Sequence, residues 1–275
     1  MECKICKQPS HKIFEKTVLV KYLVDYHQCS NCGFIQTDDP FWLKEAYENA
    51  ITSLDIGILN RNDFLKENVS KMIDCLFPEA QFFLDFAGGY GLFVRAMRDK
   101  GYNFYRQDIY CENLFSKHFD IEDLNESNFD LVTAFEVFEH LENPLLEIEN
   151  ILKYSKHLIF STDIIPQTVS EVENWVYIAA ETGQHIAFYS ERSLQIVAQK
   201  FSKNYYRKGN LHIFTNKTFS QVQVDVALND KTEYSYFFGL IKKKIGTNYP
   251  QRESYQHRDY LKIKEILNEE AANQS

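Results

Sequence analysis

The sequence predicts an α/β fold in which a mainly parallel sheet is covered by helices on both faces, with a small cysteine-rich knuckle in front of it. Short apolar runs alternate with helical patterns from residue 82 onward, as in chains that build parallel sheets from strand–helix units. Four of the six cysteines form two Cys-x-x-Cys pairs within the first 38 residues. A chain of 275 residues is long enough to bury a substantial core.

Composition and charge exclude several classes of protein. Hydrophobic residues make up 44% of the chain and charged residues 25%, which is ordinary for a globular protein. The net charge of -9 argues against a nucleic-acid-binding surface. No apolar run approaches the ~20 residues that cross a bilayer, and the first residues lack the apolar core of a signal peptide. We expect a cytoplasmic protein without nucleic-acid partners or a transmembrane segment, and the oligomeric state stays open.

The cysteine pairs predict a zinc site within residues 1–38. Each pair can place two thiolates on one metal ion from a tight turn, and residues 14–26 between the pairs predict a small hairpin. Disulfides are disfavoured in a reducing cytoplasm. Two matched pairs also suit a closed tetrahedral site better than a reactive dithiol, so the zinc is expected to be structural. The expected ligands are Cys3, Cys6, Cys29 and Cys32.

Helices are predicted between this segment and the sheet. Residues 39–63 are expected to form a helical linker, with an amphipathic helix over residues 41–50. A second helix is predicted over residues 63–76, and Pro78 closes it because the residue before a proline disfavours helical geometry.

The main α/β domain is predicted over residues 64–215. Its strands are short and apolar, the patterns between them repeat at helical spacing, and Ser190 is the expected N-cap of the last of its helices. Strands are predicted over residues 82–86, 104–108, 131–135, 158–162 and 210–214. Helices are predicted over residues 92–100, 144–151 and 190–201.

The pattern weakens in a C-terminal extension, residues 216–275. Residues 221–226 are predicted as a strand, and residues 261–271 as a mildly amphipathic helix. Residues 234–244 mix aromatic side chains with lysines, and we expect a short solvated helix there. Contact with a membrane surface is the alternative for this segment.

The glycine-rich turn at residues 84–91 predicts a cofactor site. It contains three of the chain's ten glycines and lies between a buried strand and a helix. This geometry brings backbone N–H groups and a helix N-terminus close to a nucleoside ligand. Asp85 at the end of this strand and Asp108 at the end of the next one frame the turn. A nicotinamide dehydrogenase shares such a turn, so the turn alone leaves the cofactor open.

Two segments resemble motifs of class I S-adenosylmethionine-dependent methyltransferases. Residues 84–91 resemble the first motif, an acid followed by alternate glycines, with Ala87 where the first glycine usually stands. Residues 129–141, FDLVTAFEVFEHL, resemble the fourth-strand motif of the same superfamily. The resemblance covers roughly residues 64–215, and it implies a Rossmann-like methyltransferase sheet with S-adenosylmethionine as cofactor. The EHL segment argues against the dehydrogenase.

The resemblance also implies roles for residues at the strand ends. The glycine turn is expected to hold the methionine portion of the cofactor, and Asp108 to accept the ribose hydroxyls. Asp120, after a predicted third strand, is expected to accept the adenine amine, and Glu136 to lie near the cofactor. An ordinary structural role is the alternative for both aspartates. The implied cofactor-binding residues are Asp85, Ala87, Gly88, Gly89, Gly91, Asp108, Asp120 and Glu136.

A histidine is expected to remove the proton of an alcohol acceptor, because imidazole is best poised near neutral pH. His140 follows the strand that ends beside the transferable methyl group, and His185 lies in a glycine-containing loop on the same face. A structural role is the alternative for each. Residues 181–190 resemble the substrate-facing segment of sugar-modifying methyltransferases, which implies that Glu181 and Tyr189 belong to the acceptor pocket.

The four-cysteine segment joined to this domain resembles the methyltransferases that modify sugars for antibiotics, capsules and surface polysaccharides. The predicted function is therefore O-methylation of a sugar or sugar nucleotide. Sugar C-methylation is one alternative, although this chain is shorter at its C-terminus than the sugar C-methyltransferases. The other alternative is a non-catalytic methyltransferase fold that serves as a zinc-containing binding module, for which Ala87 is the only hint in the sequence.

Overall fold

The computed structural model describes residues 1–48, 51–125, 128–228 and 252–273. These residues form a small four-stranded sheet and a six-stranded sheet with helices around it. The predicted α/β class, with a central sheet that is rich in parallel strands, is confirmed. None of the helices in these ranges combines the length and the apolar character that crossing a bilayer requires.

The small sheet is built mainly from the N-terminal segment. Strands β1 (Ser10–Val18) and β2 (Tyr22–Cys29) form the antiparallel hairpin that was predicted between the cysteine pairs. Strand β3 (Ile35–Thr37) pairs with β2, and its other edge pairs with a strand from much later in the chain, β8 (Ala187–Phe188). The N-terminal segment is therefore joined to the later part of the chain by backbone hydrogen bonds.

Two helices connect the sheets. Helix α1 (Leu43–Ala46) is a single turn, shorter than the helix predicted over residues 41–50, of which residues 49–50 lie outside the described residues. Helix α2 (Ile58–Leu76) ends where it was predicted to end but begins at Ile58, inside the predicted linker. Its first turn mixes two apolar with two polar side chains, and this short pattern could not be separated from a loop by its periodicity.

The strands of the six-stranded sheet are β4 (Phe82–Phe86), β5 (Asn103–Gln107), β6 (Leu131–Ala134), β7 (Leu158–Ser161), β9 (Asn204–Lys208) and β10 (Leu211–Thr215). Their order in the sheet is β5-β4-β6-β7-β10-β9. Its first four strands in this order are parallel, so their carboxyl ends meet at one edge of the sheet. The last two strands are antiparallel to their neighbours. Strand β9 lies at the sheet edge and has no apolar run, which explains why the sequence pattern missed it.

The helices around this sheet largely follow the predicted pattern. Ser190 caps α6 as expected, because its hydroxyl accepts a hydrogen bond from the backbone N–H of Ser193 at 3.0 Å. The helices are α3 (Leu92–Asp99), α4 (Pro144–Leu152), α5 (Val169–Glu173) and α6 (Glu191–Lys200).

The predicted strand over residues 221–226 is wrong, because these residues belong to helix α7 (Gln221–Leu228). Alternating valines gave this segment the period of a strand. Its buried residues are instead Val224 and Ala227, which lie three positions apart and pack in the same core as Met72 of α2. Contact with α2 overrides the local preference of valine for strands. The predicted segment 234–244 lies outside the described residues.

Helix α8 (Gln256–Asn273), which contains the predicted C-terminal helix, is joined to α3 by a buried ion pair. The Nε and Nη2 atoms of Arg98 lie 2.7 and 2.8 Å from the two carboxylate oxygens of Asp259, and both side chains are 2% exposed. Arg98 and Asp259 therefore attach part of the extension to the α/β body.

Candidate functional site

A cavity of about 1350 Å³ lies at the edge where the parallel strands end. Its walls come from the glycine turn after β4, the loops after β5 and β6, the start of α2 and the segment before β8. Open α/β sheets bind ligands at this edge, because the loops that follow parallel strands converge there. Seven acidic and two basic side chains line the cavity, so its charge is predominantly negative.

The turn after β4 begins with a buried acid. Asp85 is 3% exposed, and the hydroxyl of Thr133 on β6 donates a hydrogen bond of 2.6 Å to its carboxylate. Burial raises the pKa of Asp85 to about 7, because removal from water disfavours the charged form. Ala87 follows in the left-handed region, with a φ of 54° that is strained for a residue with a Cβ atom. Both residues line the cavity.

The glycines of the turn pair their N–H groups within the protein. Gly88 donates to the carbonyl of Gln107 at 3.1 Å, Gly89 to the carboxylate of Asp108 at 2.8 Å, and Gly91 to the carbonyl of Gly88 at 3.0 Å. Because these N–H groups are already paired, the turn offers a ligand close approach to the backbone rather than free hydrogen-bond donors. Gly88 and Gly89 line the cavity, whereas Gly91 lies behind them at the start of α3.

Asp108 follows β5 and lines the cavity, as the sequence predicted for the acid at this strand end. One of its oxygens accepts from Gly89, and the other accepts from the N–H groups of Tyr110 at 2.8 Å and Cys111 at 2.7 Å. These bonds fix the carboxylate at the cavity wall beside the turn.

Asp120 does not line the cavity, so its predicted contact with an adenine amine is not carried forward. Its carboxylate instead accepts a hydrogen bond of 2.6 Å from Nε of Arg106, a buried residue on β5, and one of 2.9 Å from Asn113. Nη1 of Arg106 also donates to the carbonyls of Gly89 and Cys111. Asp120 is thus the counter-ion of a guanidinium that ties the loops together.

Glu136 lies at the carboxyl end of β6 and lines the cavity. Its φ of 54° lies in the left-handed region, like that of Ala87. The hydroxyl of Ser161 on β7 donates to its carboxylate at 2.6 Å and accepts from its backbone N–H at 2.9 Å. Burial raises the pKa of Glu136. Strained residues at both strand ends are a feature of functional sites, where the surrounding bonds must hold them in place.

His140 and His185 lie together on the cavity wall, with ring centroids 4.8 Å apart and ring planes at 89°. The Nδ1 atom of His140 is 3.2 Å from the carbonyl oxygen of Gln184, and that of His185 is 2.5 Å from the carbonyl oxygen of Tyr177. A carbonyl oxygen only accepts, so these contacts favour a proton on Nδ1 and a lone pair on Nε2. Burial lowers the pKa of His140 to about 3 and that of His185 to about 4, so both rings are neutral at pH 7.

Tyr47, which the sequence did not single out, belongs to this site. Its hydroxyl is 3.0 Å from Nδ1 of His140, and its ring stacks on Tyr110 with centroids 5.2 Å apart. In the sequence Tyr47 was one of several apolar positions on a predicted helix. Only the contacts of α1 with the later chain, such as the 2.8 Å bond from Gln184 Nε2 to the carbonyl of Ala46, bring it here.

Glu139, the residue before His140, is the most deeply buried acid of this region. It is 0% exposed, and its carboxylate oxygens make no hydrogen bond of ordinary length within the described ranges, although the hydroxyls of Tyr177 and Thr162 lie near enough to act on the group. Burial and the neighbouring Glu136 raise its pKa, whereas the nearby hydroxyls of Tyr177 and Thr162 favour the charged form more weakly. One of its oxygens and one ring nitrogen of each histidine lie within 4.8 Å of one another.

Two residues predicted in the acceptor pocket lie elsewhere. Tyr189 is fully buried, and its hydroxyl donates to the carbonyl of Phe138 at 3.1 Å, so it is a core residue. Glu181 is exposed and is not part of the cavity wall. The wall of this region is formed instead by Trp175, Tyr177 and Thr182.

The four predicted zinc ligands form one cluster. The sulfur atoms of Cys3 and Cys32 are 3.6 Å apart, and those of Cys6 and Cys29 are 3.4 Å apart. A tetrahedral zinc ion with Zn–S bonds of about 2.3 Å holds its sulfurs about 3.8 Å apart. All four cysteines are free of disulfides. The donor set and its spacing fit a structural zinc ion.

Comparison with known proteins identifies the larger part of the chain. A family model described as "Methyltransferase domain" matches residues 59–201. No curated protein is a significant match.

Three similar solved structures share 12% to 15% sequence identity with this chain. A possible histamine N-methyltransferase from Thermotoga maritima has 14% identity over 64% of this chain and 100% of its own, with a TM-score of 0.46. The mitomycin 7-O-methyltransferase MmcR has 15% identity over 55% of this chain, which spans only 53% of that enzyme, with a TM-score of 0.39. Magnesium protoporphyrin IX methyltransferase from Synechocystis PCC 6803, with bound SAH, has 12% identity over 64% and 94%, with a TM-score of 0.39. At these values none of them identifies a substrate for this chain.

Gly91→Ala is expected to destabilise the fold, whereas Gly57→Ala is not. Gly91 has a φ of +83°, and an added Cβ would lie 2.3 Å from the hydroxyl oxygen of Ser116. At Gly57, the residue before α2, an added Cβ meets nothing within 4 Å. We expect Gly91→Ala to lower the free energy of unfolding by about 1–3 kcal/mol in chemical denaturation. Equal stabilities of the two variants would contradict the tight turn.

At pH 7 the variant His185→Asn is expected to have a lower free energy of unfolding than the parent protein, and this difference should shrink as the pH falls. The pKa of His185 is about 4 in the folded protein and about 6.5 in the unfolded chain. Between these values the unfolded chain binds a proton that the folded protein excludes, so the parent loses stability below pH 6.5. Urea unfolding at pH 7 and pH 5 should show the gap shrinking by about 2 kcal/mol. A gap that is the same at both pH values would contradict a buried neutral imidazole.

Proposed function

The chain belongs to the methyltransferase-domain family, and we propose that it transfers the methyl group of S-adenosylmethionine to a hydroxyl group of a sugar or sugar nucleotide. The chain is an S-adenosylmethionine-dependent methyltransferase by its family. The hydroxyl acceptor and the roles of individual residues are the parts that we propose.

One observation carries the proposal. The same cavity is lined by Asp108 and the glycine turn at the ends of β4 and β5, and by the pair His140 and His185 after β6. A donor and an acceptor bound in one cavity can be held in the orientation that a displacement reaction requires. The volume of about 1350 Å³ exceeds what drug-sized ligands generally need, so it is large enough for two.

The cofactor is proposed to lie along the strand ends. Asp108 has a fixed carboxylate beside the turn, which suits the two hydroxyls of a ribose. Gly88 and Gly89 allow the methionine portion to approach the backbone, and the acids Asp85 and Glu136 suit its positive charges. Methyl transfer then needs alignment of sulfur, methyl and acceptor oxygen, together with exclusion of water.

The histidine pair is proposed to activate the acceptor hydroxyl. His185 donates its Nδ1–H to the carbonyl of Tyr177, which leaves the Nε2 lone pair available to accept a proton. Burial, which lowers its pKa to about 4, keeps the ring neutral at pH 7 but makes it a weaker base than a solvated imidazole. His140 is the second candidate, because its Nδ1 contacts both Gln184 and Tyr47. With S-adenosylmethionine bound, the acceptor oxygen would form a bond to the methyl carbon while the carbon–sulfur bond breaks and sulfur retains its electrons. The hydroxyl proton would pass to the imidazole.

The sugar acceptor is supported by the combination of a four-cysteine segment with this domain in one chain, which resembles sugar-modifying methyltransferases. Natural-product or surface-polysaccharide synthesis would use such a reaction. The alternative of C-methylation differs in its product, because the new methyl group would then be bonded to carbon. Nuclear magnetic resonance of the product distinguishes a methoxy group from a C-methyl group.

The zinc ion is proposed to be structural. With all four positions taken by thiolates it has no open coordination site, so it can stabilise the fold but cannot bind substrate. The N-terminal segment that it would stabilise supports the cavity indirectly, because Trp42, after this segment, donates a hydrogen bond of 2.8 Å to the carbonyl of Gly183.

Asp108→Ala is expected to weaken binding of S-adenosylmethionine by about 1.5–3 kcal/mol, the scale for losing a charged hydrogen-bond acceptor. Isothermal titration calorimetry measures the change. Asp130→Ala is the control, because Asp130 accepts backbone bonds at 2.8 and 3.0 Å from residues 81–82, at the opposite ends of the strands. Equal affinities of the parent and Asp108→Ala would show that the ribose does not bind there.

Replacement of both histidines by alanine is expected to lower turnover by about 10²–10⁴-fold, because the acceptor proton then lacks its acceptor in the protein. The affinity for S-adenosylmethionine should change little, since neither residue belongs to the glycine turn or to Asp108. Either single variant should retain part of the activity if the partner ring compensates. Near-native turnover of the double variant would contradict activation by the histidine pair.

Protein produced in zinc-replete medium and then dialysed should contain about one zinc ion per chain, bound by the four thiolates. Cys29→Ser should lose the ion and destabilise the N-terminal sheet more than it weakens cofactor binding. Cys75→Ser is the matched control, because Cys75 lies on α2, away from the cluster, and should keep the zinc. Elemental analysis that finds no zinc in the parent protein would refute the site.

A further inference from the structure

The buried carboxylate of Glu139 is left unexplained by the proposed methyl transfer. It is 0% exposed, and among the described residues its oxygens make no hydrogen bond of ordinary length, although the hydroxyls of Tyr177 and Thr162 act on it from nearby. An unpaired carboxylate in the interior is costly, and natural proteins pair such groups with hydrogen bonds, counter-ions or metal ions. The ring nitrogens that could bind the same metal ion as this carboxylate belong to His140 and His185.

We propose that Glu139, His140 and His185 bind a divalent metal ion at the acceptor end of the cavity. One carboxylate oxygen and one nitrogen of each ring lie within 4.8 Å of one another, so small side-chain movements bring all three onto one ion. Two imidazoles and one carboxylate leave further coordination positions open toward the cavity, which both histidines line.

The contacts of both Nδ1 atoms with backbone carbonyls match the pattern that is found at metal-binding histidines. A histidine that binds a metal through one ring nitrogen almost always donates the other N–H to a carbonyl or carboxylate, which fixes the ring. The Nδ1 atoms of His140 and His185 each contact a backbone carbonyl, at 3.2 and 2.5 Å. Neither Nε2 atom has a hydrogen-bond partner in the part of the chain that the structure describes.

The surrounding charge also favours a cation. Glu136 and Asp163 line the cavity near the three residues, and Glu136 is close enough to Glu139 to repel its charge. The positive charge of Arg61 acts on Glu136 and Glu139. Its guanidinium, however, already forms a bidentate pair with Asp55 at 2.9 and 2.6 Å. A divalent ion would supply the positive charge that Arg61, already paired with Asp55, supplies only in part.

The donor set selects the class of ion. Imidazole and carboxylate together suit first-row transition metals such as Mn²⁺, Fe²⁺ or Zn²⁺, whereas Mg²⁺ and Ca²⁺ prefer oxygen ligands alone. Mn²⁺ is the most informative probe, because the soft thiolates of the cysteine cluster select zinc over manganese. Three ligands hold an ion less tightly than four thiolates, so we expect dialysis to empty this site while the cysteine site keeps its zinc.

The consequence for catalysis rests on the proposed function. An ion held by Glu139 and the two imidazoles would bind the acceptor oxygen at an open position and lower the pKa of its hydroxyl. In the ion-loaded protein the imidazoles are ligands, and activation of the hydroxyl passes to the ion. Ion binding itself does not depend on the acceptor, so it can be tested without one.

Mn²⁺ is titrated into the dialysed protein while the electron paramagnetic resonance signal of free Mn²⁺ is followed. We expect saturable binding of about one ion per chain, and a loss of affinity of at least about tenfold in Glu139→Gln and in His185→Asn. Glu139→Gln removes the charge but keeps the shape, so its fold should survive, and His185→Asn tests the same site independently. His27→Asn is the matched control, since His27 lies with Asp25 and Asp38 in another described cluster of this kind and pairs with Asp38 at 2.8 Å.

Absence of saturable binding, binding that Glu139→Gln and His185→Asn leave unchanged, or binding that His27→Asn abolishes would each overturn the metal site. S-adenosylhomocysteine binding to the same samples separates the two claims. A parent protein that binds the nucleoside but no Mn²⁺ contradicts the metal site alone. A parent protein that binds Mn²⁺ but not the nucleoside contradicts the proposed methyl transfer.

Discussion

The guanidinium group of Arg106 holds together the loops on which the cavity depends. It lies on β5, and it bonds the carboxylate of Asp120, the carbonyl of Gly89 in the turn before α3 and the carbonyl of Cys111. A buried donor left without a partner costs about 1–3 kcal/mol, and more when it is charged. Loss of any one of these bonds would therefore destabilise the arrangement of the loops. The glycine turn and the Asp108 loop are thus positioned by a side chain outside the cavity wall.

The central strands could be predicted because each is a short apolar run between polar turns, and a parallel sheet buries such runs on both faces. The elements that escaped prediction lack this local signal. Strand β8 has two residues and exists only because Ala187 and Phe188 lie beside β3. Residues 221–226 have the alternation of a strand, but the groove beside α2 accepts Val224 and Ala227 from a helix. Tertiary contact decided both.

The residues of the candidate site also differ in whether the sequence could reveal them. Asp85, Asp108 and Glu136 follow strands, so the rule that ligands collect at the carboxyl ends was sufficient to find them as cavity residues. Asp120 and Tyr189 do not line the cavity. The sequence could not show this, because it does not reveal which acid meets a buried arginine or which tyrosine faces the core. Tyr47 could not be found because its partner, His140, lies 93 residues away in the chain.

The pairing of β3 with β8 has a consequence for the order in which the protein can fold. The ribosome releases the cysteine pairs and the hairpin before the α/β body, but the strand that completes their sheet is made only after most of that body. Until then β3 has an open edge, and an open edge can pair with other chains. Zinc bound by the four thiolates would stabilise the waiting segment, because metal binding contributes directly to the free energy of folding. Early capture of zinc would therefore protect the nascent chain against aggregation during its synthesis.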